Sequence, residues 1–284
     1  MKPAPFRYLR PETLAEALAL LAEHGDEAQV LAGGQSLMAM ANMRLARPGV
    51  VVDINRLPGL AGIEVDGETV RIGALTRYRA LERSAIVAEQ LPLVAAALPH
   101  VGHVAIRNRG TIGGSLALAD PAAELPACAV ALDAEIVLTS QAGERAVPAR
   151  DFFLGLYETA RRPDELLTEI RFPTPRPNQA VGFDELARRH GDFAIVGLAA
   201  SADIDGGRFS NARLVFFGSE SRPTHAETAA SALDGHSWDE ATTAAVSAAL
   251  ARDLDPIESL DGGADFKLKL ARVLAARVLA KVAA

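Results

Sequence analysis

The chain has 284 residues, 49% of them apolar and 23% charged, and a formal net charge of -7. That length suits one large or two modest hydrophobic cores, the composition is that of a folded water-soluble protein, and the acidic balance argues against a phosphate-tracking nucleic-acid surface. No stretch reaches the roughly 18 uninterrupted apolar residues of a membrane span, and the start, MKPAPFRYLRPET, lacks the apolar core of a secretory signal, so a cytoplasmic location is expected.

From Pro11 to His24, leucines at 14, 18 and 21 recur at helical spacing, with Gly25 where a left-handed cap is wanted. A short strand, Ala28 to Leu31, runs into the glycine loop Ala32-Gly33-Gly34-Gln35-Ser36, and Leu37 to Met43 reads as helix. Val50 to Ile54 is a buried-strand run, and Ile63 to Ala74 alternates around Asp66-Gly67, a hairpin dipeptide. Helical periodicity follows from Arg77 to Leu98, broken at Pro92. A second glycine-rich loop, Arg107 to Ser115, precedes the apolar stretch Leu125 to Leu132, and Glu135 to Leu138 and Leu166 to Phe172 read as strands.

Pro173, Pro175 and Pro177 are the strongest punctuation in the chain, because proline donates no backbone hydrogen bond. They divide it into residues 1–177 and 178–284. Beyond them lie three strand-like runs, Val181 to Ala187, Ile195 to Ile204 and Arg213 to Phe217, then helices at Thr224 to Leu233, Asp239 to Arg252 and Asp265 to Val282. Strands followed by helices predict a small α+β unit with a three-stranded antiparallel sheet and three helices on one face.

The chemistry concentrates in the two glycine loops. Glycine lets the backbone approach a phosphate closely and turn N–H groups toward it, and Ser36, Thr111 and Ser115 add hydroxyls. Neither loop has the spacing of a Rossmann fingerprint or a Walker A sequence, so a dinucleotide would be held in another way. Cys128, the one cysteine, cannot supply an iron–sulfur cluster, which takes about four thiolates, so any such cluster belongs to another chain.

The runs LAGGQSLMAMANMRLARPGVVVDI (31–54) and IRNRGTIGGSLALADPAAELPA (106–127) resemble the two FAD-binding segments of molybdenum-hydroxylase medium subunits, of the carbon monoxide dehydrogenase and xanthine dehydrogenase type. The likeness continues through DELLTEIRFP (164–173) and ARRHGDFAIVGLAAS (187–201), and more weakly through SRPTHAE and the last helix. It implies an α+β fold: an FAD-binding domain shared with vanillyl-alcohol oxidase and p-cresol methylhydroxylase, then a domain like the carbon monoxide dehydrogenase flavoprotein C-terminal domain. Carried over by position, Ala32, Gly33, Gly34, Gln35, Ser36, Thr111, Ile112, Gly113, Gly114 and Ser115 would hold the FAD pyrophosphate. Glu124 and, as a weaker candidate, Asp120 would meet ribose or ribityl hydroxyls. Leu167 would lie near the flavin through its backbone, and Phe193 beside the isoalloxazine ring. The resemblance further implies a small subunit carrying 2Fe-2S clusters and a large subunit carrying a molybdopterin cofactor, assembled as a dimer of heterotrimers. Electrons would then reach FAD from the clusters and pass to an external acceptor. Asp184 stands where the xanthine dehydrogenase branch has lysine, and Gln35 where some carbon monoxide dehydrogenase subunits have histidine, which leaves the substrate open.

Other residues have plainer readings. Arg107 and Arg109 read as solvated surface, His100 and His103 lack a third ligand at metal spacing, Cys128 reads as a buried small hydrophobe, and Trp238 as core. Two further functions stay open at this stage: a stand-alone flavin oxidase or reductase on the same fold, and a nucleotide-binding module without redox chemistry.

Overall fold

The computed structural model describes residues 2–284. It opens with a parallel sheet of order β1-β3-β2, made of β1 (Arg7–Leu9), β2 (Ala28–Leu31) and β3 (Val50–Asp53). Helix α1 (Leu14–His24) joins β1 to β2, the two outer strands that flank β3. Thr13 caps that helix by accepting the Glu16 N–H, and Ala17, Leu18 and Leu21 form its buried stripe. After β2 the chain turns through residues 32–36 into α2 (Leu37–Asn42).

The antiparallel sheet that follows has the order β4-β5-β10-β6-β7. Its strands are β4 (Ile63–Asp66), β5 (Thr69–Gly73), β6 (Glu135–Ser140), β7 (Gly143–Pro148) and β10 (Leu166–Pro173), while β8 (Phe153–Gly155) and β9 (Glu158–Thr159) form a ribbon of their own. The periodic stretch after Arg77 resolves into α3 (Tyr78–Glu82), α4 (Ala85–Gln90) and α5 (Pro92–Ala97). Ser84 caps α4, and Pro92 begins α5 at a position whose N–H would find no helical partner in any case. Helices α6 (Val104–Arg107), α7 (Ile112–Leu118), α8 (Glu124–Ala131) and α9 (Ala149–Phe152) complete this part. The segment expected as a second glycine loop is therefore the cap and first turn of α7. Thr111 is its N-cap and accepts the Gly114 N–H at 3.1 Å.

Beyond the prolines, β11 (Gln179–Leu186), β12 (Val196–Asp205), β13 (Arg208–Phe217) and β14 (Thr224–His225) form a four-stranded antiparallel sheet in chain order. Three strands were expected, with a helix from Thr224. Instead Thr224 and His225 pair with Phe216 and Val215 as an edge strand too short to leave a readable pattern, and α10 (Glu227–Ser231) starts after it. Helices α11 (Glu240–Asp253) and α12 (Ala264–Val282) follow.

That sheet is covered on both faces, not one. Val196, Leu198, Ala200 and Ala202 of β12, with Leu214 and Phe216 of β13, face a core shared with α10, α11 and α12. The alternate residues, Ala199, Val215 and Phe217, join Phe183 in the core that also holds Leu93 and Val94 of α5 and Leu125, Cys128 and Ala129 of α8. Burial on both sides is why β12 reads as an almost unbroken apolar run.

Candidate functional site

A cavity of about 470 Å³ opens between the two parts, within the ~300–1,000 Å³ usual for small-molecule sites. Its walls come from β2 and the loop after it, α3, the 101–106 segment, α7, the 120–124 segment, Arg161, the start of β10 and the 191–193 loop. Ala32, Gly33, Gly34, Gln35, Ser36, Thr111, Gly113, Gly114, Ser115, Asp120, Glu124, Leu167 and Phe193 all line it. Ile112 does not: its side chain is fully buried in the core behind α7.

The two glycine segments meet through glycine itself. A Cβ on Gly33 would come within 2.8 Å of Gly110 Cα and also overlap the Arg109 carbonyl, and one on Gly113 would lie 2.5 Å from Ala74 Cβ. Gly34 holds a φ of +71°, which side-chain-bearing residues rarely adopt. The segments differ sharply in what they offer a ligand. The N–H groups of Ile112, Gly113, Gly114 and Ser115 are bound to Thr76 O, Ala74 O, Thr111 Oγ1 and Thr111 O. Among the described residues, the N–H groups of Gly33, Gly34, Gln35 and Ser36 make no hydrogen bond. Gly33 is buried and Gly34 to Ser36 are half-buried on the cavity wall, so this run is prepared for an acceptor-rich group in the cavity. A diphosphate fits that run, and the glycines let the surrounding segments pack closely enough to form its cradle.

The carboxyl of Glu124 is buried and accepts no hydrogen bond from another residue. Burial pushes it up to about 8, helped by the nearby Glu185 and opposed by His100. Donors in the cavity, such as sugar or ribityl hydroxyls, would satisfy it. Asp120 is partly committed, since its Oδ1 accepts the Ala122 N–H at 2.9 Å and its Oδ2 the Tyr157 hydroxyl at 3.3 Å. At the start of β10 the pairing with β6 slips between Leu167 and Glu169, a local irregularity beside the cavity. Phe193 stands 70% exposed at the wall contributed by the second part, so an apolar ring face is available there.

Sequence reading missed Tyr78 and Arg161, which reach the cavity through tertiary packing and carry no local motif. Burial raises the Tyr78 phenol, against a smaller opposing effect of the Ser115 hydroxyl. Arg107, expected as solvated surface, is buried instead. Its guanidinium pairs with Glu82 at 2.8 Å and donates to Val101 O and Gly102 O, holding the turn beside the cavity. Arg109 is exposed, as expected. Cys128 is fully buried, and burial pushes its thiol pKa far up, so it packs as an inert hydrophobe.

The second part fixes one wall. Gly218 donates its N–H to Pro121 O at 2.7 Å, and Ser201 Oγ donates to Ala131 O at 2.8 Å, tying both ends of the Glu124 helix region to the β12–β13 sheet. His100 Nδ1 lies 3.2 Å from Glu185 Oε1, and this contact raises the His100 pKa.

Residues 4–175 match the family model of the FAD binding domain in molybdopterin dehydrogenase, and residues 182–282 that of the CO dehydrogenase flavoprotein C-terminal domain. The chain is 40% identical to the 6-hydroxypseudooxynicotine dehydrogenase complex subunit alpha of Paenarthrobacter nicotinovorans, covering 99% of this chain and 95% of that one. It is 39% identical to the carbon monoxide dehydrogenase medium chain of Hydrogenophaga pseudoflava, over 98% of this chain and 97% of the relative. A solved structure of carbon monoxide dehydrogenase from Hydrogenophaga pseudoflava, in a form lacking the Mo-pyranopterin moiety, superposes with a TM-score of 0.96 at 38% identity. That match covers 99% of this chain and 98% of the other. With its cavity between an FAD-binding domain and a flavoprotein C-terminal domain, the chain belongs to the FAD-binding medium subunits of the carbon monoxide dehydrogenase type of molybdenum hydroxylase, a family of oxidoreductase subunits.

Proposed function

We propose that this chain is the electron-transfer subunit of a cytoplasmic heterotrimeric molybdenum hydroxylase, working beside a small subunit with 2Fe-2S clusters and a large subunit with a molybdopterin cofactor. The observation that carries the cofactor assignment is the run of four unspent N–H groups, Gly33 to Ser36, on the wall of the cavity. Bound there, FAD would supply the one- and two-electron chemistry that connects the clusters to an external acceptor.

The residues of this chain bind and orient. Gly33, Gly34, Gln35 and Ser36 donate to the diphosphate, while Thr111, Gly113, Gly114 and Ser115 form the close-packed wall against it, their own N–H groups being committed within α7. Glu124, and less so Asp120, accept from hydroxyls. Leu167 offers backbone at the slipped ladder, and Phe193 covers the ring system from the second domain, with the division between domains at residues 177 and 178. No acid or base is required of this subunit. Its substrate-blind role leaves the oxidised compound to the large subunit.

The test is to purify the full chain with and without its coexpressed neighbours, record flavin absorbance and identify the released flavin by chromatography. One FAD per chain in either preparation is the expected result. If excess FAD is taken up by neither, the assignment of the cavity fails.

A further inference from the structure

The charges that line the cavity do not match a dianionic ligand at first sight. Three carboxyl residues, Asp120, Glu124 and Asp192, stand on its walls, and Arg161 is the one lysine or arginine among the lining residues. This guanidinium is partly buried between the β9 ribbon and the start of β10, and burial lowers its pKa from the ordinary value. Arginine still stays protonated, so a full positive charge is held there.

That charge has no ion-pair partner among the described residues. The neighbouring acid Glu165 is taken by Arg145, through Nε at 2.6 Å and Nη2 at 2.8 Å. Arg161 donates through Nη1 only, to Arg162 O at 2.9 Å and Glu165 O at 2.8 Å, and its Nε and Nη2 are uncommitted. It lines the same cavity as Gln29 and Val30 of β2, the strand that ends in the Ala32–Ser36 loop. A desolvated cation with a free donor edge on a cavity wall is a costly arrangement unless an anion completes it.

We propose that Arg161 is a cofactor-binding residue whose free guanidinium edge meets the anionic adenosine-diphosphate half of the dinucleotide, and that it makes the cavity prefer a phosphate-bearing flavin over an uncharged one. This rests on the FAD reading above. The four backbone donors are neutral and give position; Arg161 adds the positive charge in a lining that otherwise carries carboxyls, of which Glu124 holds its proton up to about pH 8.

The experiment compares the full chain with its Arg161→Leu and Arg161→Lys variants, each freed of flavin and, where needed, coexpressed with its neighbours. Affinities for FAD, ADP and riboflavin are measured at low and high salt, alongside thermal stability. Arg161→Leu is expected to weaken FAD and ADP by about tenfold or more, the scale of one lost charge-assisted contact. It should leave the riboflavin affinity alone and flatten the salt dependence of FAD binding, while Arg161→Lys recovers part of the loss. Unchanged FAD and ADP affinities, or an equal fall for FAD and riboflavin that tracks a lower melting temperature, would overturn the proposal and leave Arg161 as a structural tie of the 159–165 turn. Failure of the unaltered chain to bind FAD in any form would instead remove the FAD reading, and this inference with it.

Discussion

Glu124 places a buried carboxyl where, among the described residues, only its own backbone N–H donates to it, and the consequence is a proton held up to about pH 8. A carboxyl that titrates near 4.5 unfolded and near 8 folded makes the folded state bind the extra proton between those values, so stability of the ligand-free chain falls as pH rises through that window. His100, raised chiefly by its hydrogen bond to Glu185, acts in the same direction: its contribution is complete below its ordinary value of 6.5 and is lost as pH climbs through the raised one. Glu185, Asp120 and His100 are the charged groups around Glu124, and none supplies it with a donor. Glu124→Gln is therefore expected to flatten the loss of melting temperature between pH 5 and pH 8 in the ligand-free chain, and to weaken FAD binding. An unchanged pH profile would show that Glu124 is ionised in the fold. Gly113→Ala is the steric counterpart. Its Cβ would meet Ala74 Cβ at 2.5 Å and Ala74 Cα at 2.8 Å, so urea denaturation should show a loss of about 1–3 kcal/mol, the range for overpacking. Glu124 came only with the family resemblance, whereas Gly113 was legible in sequence because paired glycines form a local motif. Arg161 and Tyr78 were not, since their place on the cavity wall is set by contacts distant in the chain.

At the scale of elements, the two glycine segments turn out to be different objects. The first is an open turn after a strand, as its sequence indicates. The second was read as another such loop, but Thr111 followed by Ile112-Gly113-Gly114 starts a helix, because the threonine hydroxyl caps it and Thr76 and Ala74 carbonyls accept its first N–H groups. Those acceptors lie in a turn thirty-odd residues earlier, which no local pattern reveals. Thr111→Ala should cost about 1 kcal/mol in thermal or chemical unfolding, as lost N-caps do, and loosen FAD by shifting Gly113 and Gly114. Thr111→Ser should restore most of both. If Thr111→Ala unfolds like the parent, the cap is not what holds the helix start. The strands β11 to β13 and the three C-terminal helices were readable from periodicity, whereas β7, β8, β9 and β14 were too short or too polar to announce themselves.

For the molecule as a whole, the proline-rich link separates sheets but not cores. Phe183, Ala199, Val215 and Phe217 of the second part pack in one cluster with Val94, Leu98, Leu125 and Cys128 of the first. Expressed alone, residues 1–177 would expose the apolar sides of α5 and α8, and are expected to aggregate or remain loosely packed, with no FAD uptake. Co-produced with residues 178–284, they should reassemble and regain it, which size-exclusion chromatography and flavin absorbance would report. A soluble, FAD-binding 1–177 fragment would show that the shared core is dispensable. The proline-rich boundary read from the sequence falls between β10 and β11. The sequence did not indicate that the second sheet's outer face would be roofed by helices of the first part, because alternate faces of one apolar run look alike until a fold divides them.

β12 is the strand in which these layers converge. It is paired along both edges, by β11 and β13, and from Val196 to Ala202 it is buried, with residues facing the cores on both sides, so the amide hydrogens of that stretch exchange only when the surrounding layers open. In deuterium exchange the Val196–Ala202 amides should be the last to be replaced. Their rate becomes an internal clock for global unfolding, and filling the cavity, which touches both parts, should slow that clock even though no β12 residue lines it.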